Sequence, residues 1–112
     1  MGLPISISAH AEHDLAIQYR WYADHGGRDI AEAFMDAFDL TLSRLASQPE
    51  LGKPRKFRAQ ELHHLRSWAV AGSYRVHLIF YRATEEGVSI ERVMHGARDL
   101  PRRLVEVPGG GG

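Results

Sequence analysis

Four arginines and one histidine in the second half of the chain, Arg66, Arg75, Arg92, Arg98 and His95, are the residues whose types could do chemistry together. Cationic side chains that converge on a phosphate stabilise the charge that develops as a phosphodiester is cleaved, and an imidazole moves protons near neutral pH. Two lysines, Lys53 and Lys56, could add to such a set, but they fall in a turn-rich basic run with Arg55 and Arg58. That run reads either as a solvated loop or as a phosphate-contacting surface. His95 precedes Gly96 at the end of an apolar run, where its ring is expected to hydrogen-bond backbone rather than transfer protons.

Other chemistries are closed off. The chain has no cysteine, which removes disulfides, thiolate ligands and thiol nucleophiles and suits a reducing cytoplasm. His63, His64, His77 and His95 could be imagined around zinc, but neighbours on a strand point to opposite faces, so no metal or other cofactor is expected. The N-terminus shows no secretory pattern, and no apolar run is long enough to span a bilayer.

The elements that must position these residues are legible from periodicity. Ile5-Ser6-Ile7-Ser8 alternates as a short strand does, and Ser8 stands where a helix cap is wanted. A first helix is expected from Ala9 to about Asp24, ended by His25-Gly26-Gly27. A second runs from Arg28 to Ser47, with Ala31, Phe34, Phe38, Leu42 and Leu45 on one face and acidic groups toward its start. The short link implies an antiparallel hairpin. Strands are expected over 62–70, 74–82 and 88–95, the last two joined by the loop Ala83 to Gly87. On the strand 74–82, Tyr74, Val76, Leu78 and Phe80 share one face, and Arg75, His77, Ile79 and Tyr81 the other. The order β-α-α-β-β-β argues an α+β fold: an antiparallel sheet with an N-terminal helical hairpin packed on one face.

The 112 residues make one domain, and 44% hydrophobic with 25% charged is ordinary for a globular chain. The formal net charge is zero, yet residues 1–50 carry eight acidic and three basic groups and residues 51–112 six and eleven. No whole-chain positive field exists, but the second half can build a local basic surface. The tail 108–112, Pro-Gly-Gly-Gly-Gly, is expected to be flexible.

Along nearly its whole length the chain resembles the ParE branch of the ParE/RelE toxin superfamily. The match rests on Ala11, Asp14-Leu15 and Tyr19 to Tyr22 in the first helix, and on Ala31, Phe34, Leu45, Pro49 and Gly52 in and after the second. Leu65-Arg66 opens the sheet segment. His77-Leu78-Ile79-Phe80-Tyr81-Arg82 looks like the central strand, and Ile90 to Leu100, containing Arg92-Val93-Met94-His95-Gly96-Ala97-Arg98-Asp99, like the closing strand and turn. The resemblance implies a single toxin domain over 1–107, encoded with an antitoxin that pairs a ribbon-helix-helix DNA-binding part with a segment wrapping the toxin.

ParE-branch members are associated with inhibition of DNA gyrase, and RelE-branch members with mRNA cleavage on the ribosome. RelE-like toxins carry a central-strand arginine and a C-terminal aromatic hydroxyl. Here Leu78 stands at the first position, and Asp99 to Val107 contains no tyrosine. The expectation is therefore a non-enzymatic gyrase inhibitor with no catalytic residues. It would be bound by a ParD-like antitoxin in a hetero-oligomer, with DNA reached only through the antitoxin and no membrane partner. The alternatives are a ribosome-dependent mRNA interferase and an antitoxin-binding protein that has lost toxicity. Arg66, Trp68, Arg92 and Arg98 are the candidates for partner or target contact, Trp68 sharing a strand face with Arg66. His95, Gly96 and Asp99 belong to the structural motif, Asp99 as a brace of the C-terminal turn. For Arg92 and Arg98 contact and bracing are both open.

Overall fold

Ser8 starts the helical hairpin. Its backbone is extended, its hydroxyl oxygen accepts the Ala11 N–H at 3.0 Å, and helix α1 runs Ala9–Gly26. Helix α2, Arg28–Ser47, begins after a single residue. Gly27 closes one helix and opens the other: its N–H reaches the Ala23 carbonyl and its carbonyl accepts the Ala31 N–H. Its φ of 91° is open to glycine and strained for other residues.

The computed structural model describes residues 2–96, so the tail and the turn residues Arg98 and Asp99 lie outside the described residues. Five strands follow chain order as β1 (Ile5–Ile7), β2 (Lys53–Pro54), β3 (Arg66–Ala69), β4 (His77–Thr84) and β5 (Gly87–His95). They form one sheet in the order β1-β5-β4-β3-β2. The α+β class and the hairpin on one face are as expected, but the sheet is mixed. β1 pairs parallel with β5, because the hairpin crosses the sheet between them, and the other pairings are antiparallel.

Two expected strands are shorter than their apolar runs. Residues 62–70 divide into a 3-10 turn at Gln60–Leu62, a bend at His63 and His64, and the four-residue β3. Tyr74 ends another 3-10 turn, so β4 starts at His77. The expected loop at Lys53 contributes the two-residue edge strand β2. Its Pro54 is tolerated because an edge strand need not donate every N–H.

The helices pack Ala11, Leu15, Phe34, Phe38, Leu42 and Leu45 on Val70, Ile79, Tyr81, Val88, Ile90 and Val93 of the sheet segment. Residues that alternate with these, Phe80 and Met94, join Leu62 and Leu65 in a second cluster on the other face. Between the two halves of β5 lies a bulge: Phe80 pairs with Arg92 and Tyr81 with Ile90, leaving Glu91 extra. Ile90 and Val93, three apart, therefore both face the helices.

A buried phenol joins the end of α2 to the sheet. Tyr81 Oη donates to the Pro49 carbonyl and accepts the Gly52 N–H, each at 2.8 Å. A Cβ on Gly52 would stand 2.5 Å from that hydroxyl and 2.9 Å from the Ser67 carbonyl oxygen. Gly52→Ala should accordingly cost about 1–3 kcal/mol through overpacking. Urea denaturation checks this, and an unchanged midpoint would show that the loop yields freely.

Candidate functional site

The motif arginine Arg92 lies beneath α1. Its Nε donates to Asp14 Oδ2 at 2.8 Å and its Nη2 to Oδ1 at 3.0 Å, and both side chains are only 10% exposed. Asp14 Oδ2 also accepts the Val93 N–H at 2.9 Å. The bulge makes this possible. Once β1 turns into α1, no strand among the described residues pairs with the outer edge of β5. Ser8 takes the Ile90 carbonyl through its N–H and the Glu91 carbonyl through its hydroxyl, and Asp14 takes the next N–H. A forked guanidinium on a planar carboxylate fixes the angle of the helix as well as its distance.

Arg66 sits at the other end of the sheet. It donates to the Gly52 carbonyl at 2.8 Å and the Glu50 carbonyl at 3.2 Å, tying β3 to the loop after α2. Trp68, two residues on, is half-buried against the main core. Arg75 is exposed in the turn before β4. His95 is exposed opposite His77 at the last position of β5, and Gly96 follows with φ at 58°, a turn conformation suited to glycine. Arg66, Arg75 and Arg92 thus go to a loop carbonyl, to solvent and to Asp14, and do not point at one phosphate. Leu78 packs with the second cluster, on the face away from the helices.

One buried polar group had no signal in the sequence beyond strand alternation. His77 is 1% exposed and sits in a box of Tyr22, Phe34 and Tyr74, with ring centroids of Tyr22 and Phe34 at 5.7 and 5.0 Å. Its Nε2 shares a 2.7 Å hydrogen bond with the Tyr22 hydroxyl, while Nδ1 has no hydrogen-bond partner among the described residues. Burial, helped by the neighbouring His95, lowers its pKa from the ordinary 6.5 to about 4, so the ring is neutral at physiological pH. Burial likewise pushes the Tyr22 phenol up, with a smaller contribution from Tyr74.

Two surfaces remain. Helix α1 exposes Ile17 and Trp21 by 51% and 53%, with the His25 ring stacked 4.2 Å from Trp21. Beside it a groove of about 690 Å³ runs along Leu15, Ala16, Tyr19, Ala23 and Met35. At the opposite end of the molecule's charge distribution, a cleft of about 520 Å³ is lined by Arg55, Lys56, Phe57, His63, His64 and Arg66, among others. His63 and His64 do not alternate on a strand; they occupy a bend, with rings 6.3 Å apart. Among the described residues no group of three or more His, Asp or Glu is placed to hold a metal ion. No described helix is long and apolar enough to cross a membrane.

Residues 5–100 match the family model of the ParE toxin of the type II toxin–antitoxin system parDE. No curated protein sequence matches significantly. Among solved structures, the fold is similar to a chain of the chromosomal ParDE toxin–antitoxin system from P. aeruginosa. That likeness has a TM-score of 0.67 at 15% identity and covers 84% of this chain and 96% of that one. It is also similar to a chain of the YoeB-YefM complex from Staphylococcus aureus, with a TM-score of 0.52 at 16% identity, covering 85% and 98%. At such identities the likeness speaks for the fold, and the family match speaks for kinship: the chain belongs to the ParE toxins of type II toxin–antitoxin systems.

Proposed function

We propose that this ParE-family toxin acts without catalysis, by inhibiting DNA gyrase in the cytoplasm, and is neutralised by a ParD-like ribbon-helix-helix antitoxin in a hetero-oligomer. The observation that carries the non-enzymatic reading is the use of Arg92. The motif arginine that could have served a phosphate is spent on Asp14, and Arg66 is spent on loop carbonyls. The position that a RelE-like ribonuclease fills with arginine holds Leu78, packed among apolar neighbours.

The apolar surface on α1 supports a protein partner. Ile17 and Trp21 expose large side chains next to the groove lined by Leu15, Tyr19 and Met35, which is where an antitoxin segment could bury them. Trp68 and Arg66, both partly exposed, remain candidates for contact with a partner or the target. Arg98 and Asp99 belong to the same proposal through the family motif, as contact and brace respectively.

Expression without antitoxin should arrest growth, and the purified chain should reduce supercoiling by gyrase. Normal growth would leave a protein that binds antitoxin without toxicity. Growth arrest with undisturbed gyrase would remove the proposed target. New mRNA 5′ ends in primer extension on translated message would favour an interferase instead.

A further inference from the structure

The proposed function leaves the basic run of residues 53–58 without a role. It places Lys53, Arg55, Lys56 and Arg58 within six residues and contains no acid. None of the four makes an ion pair among the described residues, where the pairs are Arg28–Glu32, Arg82–Glu91 and Arg92–Asp14. Lys53, Lys56 and Arg58 are exposed and Arg55 is half-buried, so the segment presents a local positive field to solvent.

The fold turns this run into one wall of a cleft. Arg55 is held rigidly: Nη1 donates to Ser67 Oγ at 3.2 Å, and the guanidinium lies 5.8 Å from the Phe57 ring centre and 5.7 Å from that of Phe80. Lys56 stands exposed beside it. The facing wall is the His63-His64 bend, pinned to β4 by Arg82, whose Nε donates to the His63 carbonyl at 3.3 Å. His64 has φ at 67°, a conformation that costs a non-glycine residue energy and marks a backbone held in place by its surroundings. The cleft thus combines cations with a phenyl ring and two imidazole rings. Its volume of about 520 Å³ suits a small unit rather than a duplex surface. Seven of the eight acids of residues 1–50 belong to the helical hairpin, and no acid is among the residues lining the cleft, so a polyanion meets less repulsion on this side.

We infer that this cleft binds the phosphodiester backbone of single-stranded nucleic acid, with Arg55 and Lys56 on phosphate and the aromatic and imidazole rings beside the bases. Cations that track a backbone beside rings that accept any base face form the general arrangement for single strands. The inference adds a direct contact where the resemblance implied only an indirect one, and it does not depend on gyrase being the target.

The test is fluorescence anisotropy of the full chain with short labelled oligothymidylate, oligouridylate and a duplex of equal length, over about 50–200 mM salt. Binding should weaken steeply with salt. Lys56→Gln should lower the magnitude of the log–log slope by about 0.7, the share of one single-strand phosphate contact. His64→Gly should weaken binding several-fold while sparing the fold, because glycine accepts the φ of 67° without strain. Arg28→Gln, on the far helix, should change nothing. Tighter binding to either sugar supports the inference and names the source of the strand. Absence of salt-dependent binding, wild-type behaviour of both cleft variants, or tighter binding to the duplex would overturn it.

Discussion

Asp14→Ala will destabilise the domain by about 3–5 kcal/mol, the usual cost of removing one partner from a buried, hydrogen-bonded ion pair. For a domain of this size that is a fall in melting midpoint of roughly 10–20 °C. The size of the effect follows from how much is left behind. Asp14 accepts three hydrogen bonds, two from Arg92 and one from the Val93 N–H. Alanine takes the Asp14 carboxylate from a guanidinium whose side chain is 10% exposed, and it takes the acceptor from a backbone N–H of the closing strand.

Three companions separate the contributions. Asp14→Asn keeps an oxygen for Val93 and should fall between wild type and alanine. Arg92→Met removes the cation but leaves the carboxylate one donor, so its cost should be smaller than that of Asp14→Ala. The double variant Asp14→Ala, Arg92→Met should cost less than the sum of the two single variants, since it leaves no buried ion without its partner, but it does not recover the share due to Val93. The two sites should be non-additive by about 0.5–3 kcal/mol. Chemical denaturation of all four variants measures this, and a cost below about 1 kcal/mol for Asp14→Ala would show the pair to be a solvated surface contact.

The contrast between Asp14 and Ser8 shows which parts of this molecule can be read from its sequence. As a cap Ser8 acts on a residue three positions away, so the cap is legible, as is the one-sided stripe of α2 from Ala31 to Leu45, whose period is set within the helix; its bonds to the carbonyls of β5 are not. Asp14 acts on Arg92, 78 positions along the chain. Nothing local distinguishes it from the other carboxylates of the hairpin, and only the resemblance singled it out. Pairing also explains the parallel β1. Ile5-Ser6-Ile7 alternates the same way whether its neighbour runs up or down, and the choice is made by the helical crossover that ends at the sheet.

The bulge at Glu91 escapes a reading by alternation for a related reason. One additional residue shifts the faces of everything after it, so Ile90 and Val93 look out of phase until the strand is built. The His63-His64 bend was hidden by the apolar Leu62 and Leu65, which read as strand positions but are drawn into the second core cluster from a turn. The basic run of residues 53–58 is legible as charge. That it faces two imidazoles is not, because the bend that supplies them carries the apolar spacing of a strand.

Acid will loosen the fold through His77. The pKa of His77 in the folded protein is about 4, below the ordinary 6.5 that it regains on unfolding. A histidine lowered in this way binds protons more readily when unfolded. Its contribution to stability is therefore fully present above 6.5 and is lost as the pH falls from 6.5 toward 4. Between pH 7 and pH 5 the loss should be about 2 kcal/mol. Among the described residues the groups facing it are the Tyr22 and Tyr74 phenols and His95, which opposes a charge on His77. His77→Phe keeps a ring in the aromatic box but cannot titrate, so its stability should be flatter between pH 7 and pH 5 than that of the wild type. Carboxylates shared by both proteins cancel in the difference. His95→Ala should act in the same direction and more weakly, because it removes the repulsion but not the burial that is the larger cause. Urea denaturation at a series of pH values decides the matter. If the His77→Phe and wild-type curves run parallel, the imidazole reaches water on protonation, and the box of Tyr22, Phe34 and Tyr74 opens without unfolding.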